Sequence, residues 1–250
     1  MGKIVAIGGG EMAERETLVI DQEIVTLTGK SGPKALFIPT ASRDSPNYWR
    51  SFQEVYGQEL GCETDVLFLL GMSPTKEELE QKILSADLVY VGGGVALKMM
   101  KRWRRLGVDS VLEEAHRRGI VLSGVSAGCI SWFSWGHSAS MAYYDSDNWR
   151  YMRVRGMGLI DALVCPYFDG ETDGVERRQS FEEMVQKHSD VGIAIEDNCA
   201  IEVVDEMYRV ITSRAGAKAF KLSNRRGKLS IRPIEQREEY ESITLLLQPE

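Results

Sequence analysis

The stretch Leu122 to Phe133, LSGVSAGCISWF, carries a glycine-flanked Val-Ser-Ala triplet between two apolar runs. The residues before it, IVLS, read as a buried strand, and those after it read as a helix. A G-x-S-x-G turn between strand and helix is the nucleophile-elbow pattern, in which the glycines relieve crowding and the central hydroxyl is pushed into the open. The context that the pattern demands is present, so Ser126 is the candidate nucleophile. The Ala127 amide then falls at the first turn of the helix, where unpaired N–H groups and the helix dipole favour a developing oxyanion. The competing reading is a small residue in a tight turn, which the short pattern alone does not exclude.

Outward from this turn, apolar and amphipathic segments alternate. KIVAI, KALFIP, TDVLFLL, DLVYVGGG and IVLSG read as strands, with helices over 16–28, 47–59, the segment PTKEELEQKILSA and a helical pair over 95–118. Continuous Val, Ile and Leu runs separated by helices indicate a parallel sheet covered on both faces. After ALVCPYF and a helix near 175–187, the chain gives IAIED, AIEVV, MYRVITS, KAFKLS and LSIRPI, short strands divided by turn residues. The expectation is one α/β domain over residues 1–250, doubly wound and mostly parallel, with an antiparallel C-terminal extension of the same sheet. In such folds ligands gather at the carboxyl ends of strands. That places a site between Gly92–Gly94 and Gly124–Gly128, with the amide of Gly93 or Gly94 as the second oxyanion donor.

Composition narrows the function. The 250 residues are 43% apolar and 27% charged, enough for a full core, and the net charge of -7 with no Lys/Arg cluster argues against nucleic acid or an anionic membrane as partner. No apolar run reaches the roughly 18–20 residues of a bilayer span, and MGKIVAIGGGEM reads as an immediate strand rather than a signal peptide, so a cytoplasmic protein is expected. Cys62, Cys129, Cys165 and Cys199 are scattered and read as small core residues rather than as disulfides or a zinc set. Gly8-Gly9-Gly10-Glu11 after the first strand would need glycine where Ala13 stands to match a dinucleotide fingerprint, so no nucleotide cofactor is expected. Nor is a metal required, and Asp145, Asp147, Asp169, Glu171 and Asp173 read as solvated turns. A peptide or small molecule is the expected partner, with a homodimer as the default assembly.

Taken together, GGGE at Gly8 to Glu11, ALFIPTAS at Ala35 to Ser42, VYVGGG at Val89 to Gly94, GVSAG at Gly124 to Gly128, CPYF at Cys165 to Phe168 and GIAIEDNCAIEV at Gly192 to Val203 resemble the peptidase E and cyanophycinase family. That resemblance implies a class I glutamine amidotransferase-like fold and a serine peptidase with a Ser, His and acid triad. Ser126 matches the nucleophile and Glu196 the acidic partner. Relatives read P-H-Y or P-H-F where this chain reads Pro166-Tyr167-Phe168, so Tyr167 occupies the position of the general base. A phenol with an ordinary pKa of about 10 takes a serine proton badly. Two further departures are Val95 after the GGG loop and Ala139 in GHSAS.

Three histidines could substitute for the missing base. His116 and His188 lie on helix faces that read as solvated, whereas His137 begins an aromatic loop after the elbow helix and is the candidate replacement. The resemblance also implies that Arg177 or Arg178 holds a substrate carboxylate, consistent with the family's preference for aspartyl residues. Trp132, Phe133, Trp135, Tyr143, Tyr144, Trp149 and Tyr151 read as core or interface. The expected activity is amide hydrolysis next to an acidic residue through Ser126. One rival is a catalytically impaired relative that binds a peptide or metabolite in the inherited cleft. Another, an esterase-like α/β-hydrolase, requires a late histidine, and the sequence has none beyond His188.

Overall fold

A computed structural model describes residues 2–249. The first half runs β1 (Lys3–Ile7), α1 (Leu18–Thr26), β2 (Lys34–Ile38), α2 (Pro46–Phe52), β3 (Glu63–Val66), α3 (Lys76–Leu84), β4 (Leu88–Val91), α4 (Ala96–Leu106), α5 (Val108–Arg117), β5 (Val121–Val125) and α6 (Ala127–Trp132). The second half runs β6 (Phe133–Ser138), β7 (Met152–Arg155), β8 (Ile160–Pro166), β9 (Glu171–Thr172), β10 (Val175–Glu176), α7 (Arg177–His188), β11 (Val191–Ile195), β12 (Cys199–Val204), β13 (Met207–Thr212), β14 (Ala219–Arg225), β15 (Lys228–Ile234), β16 (Glu241–Ser242) and α8 (Ile243–Leu247). The expected alternation of strand and helix holds from β1 to β5.

The strands form two large sheets rather than one extended sheet. The first has the order β16-β13-β12-β1-β5-β4-β2-β3, parallel from β1 to β3 and antiparallel from β12 outward. The second has the order β15-β14-β11-β8-β6-β7, with β6, β8 and β11 parallel. The anticipated antiparallel extension is therefore shared: β12, β13 and β16 widen the first sheet, and β14 and β15 widen the second. A short helix is the physical reason. After only six residues of α6 the chain is already extended in β6, which pairs with β8 instead of returning to the first sheet.

The sheets meet where β1 ends. Gly9 bridges Asp197, and the Tyr167 amide donates to the Gly8 carbonyl at 3.2 Å. Glycine is required here, because a side chain on Gly8 would overlap the Ile195 and Glu196 carbonyls. Gly128 plays a similar part on the other side of the turn, where a Cβ would strike the Val91 backbone, so α6 packs directly onto β4. Apolar faces of both sheets close over residues such as Trp103, Trp132, Phe133 and Phe181, all fully buried.

Some boundaries differ from the sequence expectation. The strand read in TDVLFLL stops at Val66, because the Leu69 and Leu70 amides are captured by the Asp44 carboxylate at 2.8 and 2.6 Å. The helix over 47–59 begins as α2 and widens into a π-helix over Gln53–Glu59. All four cysteines are buried free thiols. Among the described residues no helix is long and apolar enough to cross a membrane.

Candidate active site

Ser126 sits between β5 and α6 at φ 58° and ψ -109°, a strained backbone that a non-glycine residue holds only when its surroundings impose it. The surroundings are explicit: its amide donates to the Ile7 carbonyl at 3.2 Å, and its carbonyl accepts from Ile130 at 3.0 Å to start the helix. The hydroxyl has no hydrogen-bond partner among the described residues and opens into a cleft of about 370 Å³. Gly10, Glu11, Tyr48, Gly93, Gly94 and Tyr167 line that cleft with it.

The Gly92–Gly94 loop is shaped around the nucleophile. A Cβ on Gly93 would lie 3.2 Å from Ser126 Cβ and 3.6 Å from its Oγ, so any side chain there would crowd the serine. Gly94 has φ +136°, and a Cβ on it would overlap the Ala41 carbonyl, which already accepts from Val95 at 2.9 Å. Next to Ser126 in the chain, Ala127 is the first residue of α6, and its amide has no acceptor within the helix. The sequence-predicted group Ser126, Gly93, Gly94 and Ala127 is thus brought together.

Tyr167 joins them. It too has a positive φ, 54°, held by its amide on Gly8 and by the Gly170 amide donating to its carbonyl at 2.9 Å. Burial, and secondarily the nearby Asp197 carboxylate, push its phenol above the ordinary range, so at neutral pH it is a hydrogen-bond donor and not a base.

The other expected site residues lie elsewhere. His137 is not in a loop but in β6, fully buried, with Nε2 3.0 Å from Ser180 Oγ, Nδ1 3.5 Å from Cys165 Sγ, and its ring stacked on Tyr151 at 4.2 Å. Burial, reinforced by Arg177, pulls its pKa down to about 3. It stays neutral, faces the second sheet's core and does not line the Ser126 cleft; its contact with Ser180 is structural, since so weak a base does not activate a hydroxyl. We expect His137→Phe to leave the fluorophosphonate labelling rate of Ser126 unchanged while lowering the thermal midpoint; labelling lost from a folded variant would reinstate His137 as the base.

Glu196 accepts from the Lys218 amide at 2.8 Å and lines a separate pocket with Arg178. Its neighbour Asp197 is the carboxylate beside Tyr167: a Cβ on Gly9 would meet both Asp197 Oδ1 and the Tyr167 ring. Oδ1 of Asp197 is buried without a hydrogen-bond partner, and burial together with Asp169 raises its pKa to about 6. Of the Glu196-Asp197 pair it is Asp197, and not the expected Glu196, that lies beside Tyr167. Arg177 is buried, donates to Thr172 Oγ1 at 2.9 Å and stacks over Tyr151 and Tyr167, while Arg178 is exposed over Phe168 beside Glu182. Neither arginine lines the cleft, whose one charged lining residue is Glu11.

Tyr48 was also missed, because SPNYWRSF reads as a helix with core aromatics. Ser45 caps that helix and aims Tyr48 so that its ring packs edge-on against Phe37 at 5.0 Å and over Gly92. A larger cavity of about 760 Å³, bounded by Trp149, Tyr151, Ser180 and Lys187, shares no lining residue with the Ser126 cleft. No three His, Cys, Asp or Glu side chains among the described residues converge as a metal set.

Known proteins share the sequence pattern and the fold. The model of peptidase family S51 matches residues 4–211. The uncharacterized peptidase YgaJ of Bacillus subtilis (strain 168) is 33% identical over 225 residues, covering 89% of this chain and 92% of that protein. Among solved structures, a peptidase from an acI-B1 Actinobacterium superposes with a TM-score of 0.73 at 19% identity, covering 97% of both chains. A putative peptidase E protein from Listeria monocytogenes EGD-e gives 0.61 at 19% identity, covering 85% of this chain and 98% of that one. The fold is thus of the peptidase E type, and on the family match and the 33% relative the chain belongs to peptidase family S51.

Proposed function

We propose that the chain hydrolyses peptide amides through Ser126, with a reactivity held low by Tyr167 in the position of the general base. The observation that carries this reading is the strained Ser126 elbow facing the Gly93–Gly94 loop in one cleft. Ser126 Oγ would attack the carbonyl carbon, and the Ala127 amide with the Gly93–Gly94 loop would frame the oxyanion. Tyr167 can hydrogen-bond the hydroxyl but not take its proton at neutral pH. No cofactor enters the scheme.

The cleft lining favours peptides without a requirement for acidic residues. Glu11 would repel an aspartyl side chain, and Arg177 and Arg178 lie outside the lining. A defined peptide mixture incubated with the protein and read by mass spectrometry is the test. Slow cleavage that disappears in Ser126→Ala supports the proposal, and cleavage that persists in Ser126→Ala overturns it. The rival reading, binding without turnover, is favoured by Tyr167 alone; it would be supported if peptides raised the thermal midpoint but neither the wild type nor Tyr167→His cleaved them.

A further inference from the structure

The helix that follows the Gly92–Gly94 loop does not cap itself. The first amides of a helix lack partners within it, and the side chain at the N-cap ordinarily accepts from the second or third of them. In α4 that position belongs to Val95, which has the extended backbone of a cap, φ -88° and ψ 92°, and no polar side-chain atom to offer. The Leu97 amide donates instead to Ser140 Oγ at 3.1 Å, a hydroxyl 43 residues further along the chain.

Ser140 is itself held in place. It stands two residues beyond Ser138, the last residue of β6, and the two serines are buried at 4% and 5% exposure. Their hydroxyls share a hydrogen bond at 2.7 Å, and the Ser140 amide donates to Ser138 Oγ at 3.2 Å. Three residues on, the segment is fastened to the same region again. The Tyr143 ring lies 4.5 Å from the guanidinium of Arg43, which follows the cleft residue Ser42, and 5.6 Å from the ammonium of Lys98 in α4.

The glycine loop thus has ties from both sheets. Gly92 donates to the Ile38 carbonyl at 3.2 Å and Val95 to the Ala41 carbonyl at 2.9 Å, both on the β2 side, while Ser140 reaches the start of α4 from the end of β6. Gly93 and Gly94 stand between those ties, with little resistance of their own to backbone motion. Gly93 is the one set against Ser126.

We infer, on the reading of Ser126 as nucleophile, that Ser140 seated on Ser138 is the positioning residue of the oxyanion loop. It supplies the N-cap that α4 lacks and through that helix start holds Gly93–Gly94 against the serine. Displacement of such a loop by about 1 Å is enough to cost 10²-fold in rate.

Ser140→Ala is the test, with a fluorophosphonate as probe and the rate read on folded protein well below its thermal midpoint. Ser126 Oγ bonds to phosphorus, the P–F bond breaks, fluoride leaves, and the serine proton passes to solvent. We expect the maximal labelling rate to fall about 10–10²-fold, with the probe concentration at half-maximal rate near the wild-type value. The Gly93, Gly94 and Leu97 amides should exchange hydrogen several-fold faster. Val95→Ser, added to Ser140→Ala, gives α4 a cap of its own and should restore both readings. Ser140→Cys, which keeps the volume and offers a weaker acceptor, serves the same comparison should Ser140→Ala not fold. An unchanged maximal rate overturns the inference even if the thermal midpoint falls, since the contact then serves stability alone. A fall that Val95→Ser does not restore overturns it as well. Labelling that survives Ser126→Ala removes the nucleophile reading instead, and the exchange of the loop amides still decides whether Ser140 holds the loop.

Discussion

Tyr167→His is expected to raise the fluorophosphonate labelling rate of Ser126 by about 10²–10⁴-fold, the range that a positioned general base supplies. The backbone for it is already built: residue 167 is held at φ 54° by the Gly8 carbonyl and the Gly170 amide, contacts that do not involve the side chain. An imidazole there would replace a phenol raised above its ordinary range with a group titrating near 6.5. Asp197, half-buried and with its Oδ1 buried and unpartnered against the same ring, stands ready to accept the second ring N–H. The gained rate should therefore rise with pH through an apparent pKa near neutrality, and it should shrink when Asp197→Asn is added. A Tyr167→His variant that folds normally and labels no faster would show that more than the base is missing.

The second large effect concerns the ion pair that anchors β12 beside the site. Glu202 is fully buried in β12, which pairs with β1. Its two oxygens receive Arg209 Nε and Nη2, both at 3.2 Å, and Tyr240 donates to one of them. Arg209 Nη2 also reaches Glu23 at 2.5 Å. Removing the cation leaves a buried carboxylate with only a phenol for company, and breaking such a pair typically costs about 3–5 kcal/mol. Arg209→Met should lower stability by roughly 3 kcal/mol, near the lower end because Arg209 keeps some solvent contact. Chemical denaturation reads this directly, and the double variant Arg209→Met with Glu202→Met should recover most of the loss. A single variant as stable as the wild type would contradict the assigned role.

Much of this architecture was legible in the chain because its strands are continuous apolar runs and its helices are periodic. The elbow was legible because G-x-S-x-G carries its own context, and the structure places Ser126, Gly93 and Gly94 in one cleft, with Ala127 next in the chain at the start of α6. What escaped depends on pairing between distant segments. Nothing local to FSWGHS says that it joins β8 and β7, so His137 read as a loop residue near the cleft when its ring in fact belongs to the second core. Glu196 and Asp197 are adjacent in an extended segment, where successive side chains point to opposite sides, and choosing between them requires the register at Gly9. Arg177 and Arg178 open α7, and the face each presents is fixed by Tyr151, Phe168 and the β9–β10 hairpin rather than by sequence spacing. Tyr48 escaped because an aromatic at a helical position looks like core until Gly92 is seen beneath it.

Peptide mapping of the fluorophosphonate adduct, on the wild type and on Tyr167→His, tests the central claim most directly. The account predicts one modified residue, Ser126, at low occupancy in the wild type and near completion in Tyr167→His over the same interval. Modification at another residue of the cleft, such as Ser42 or Ser51, or no modification in either protein, would contradict it.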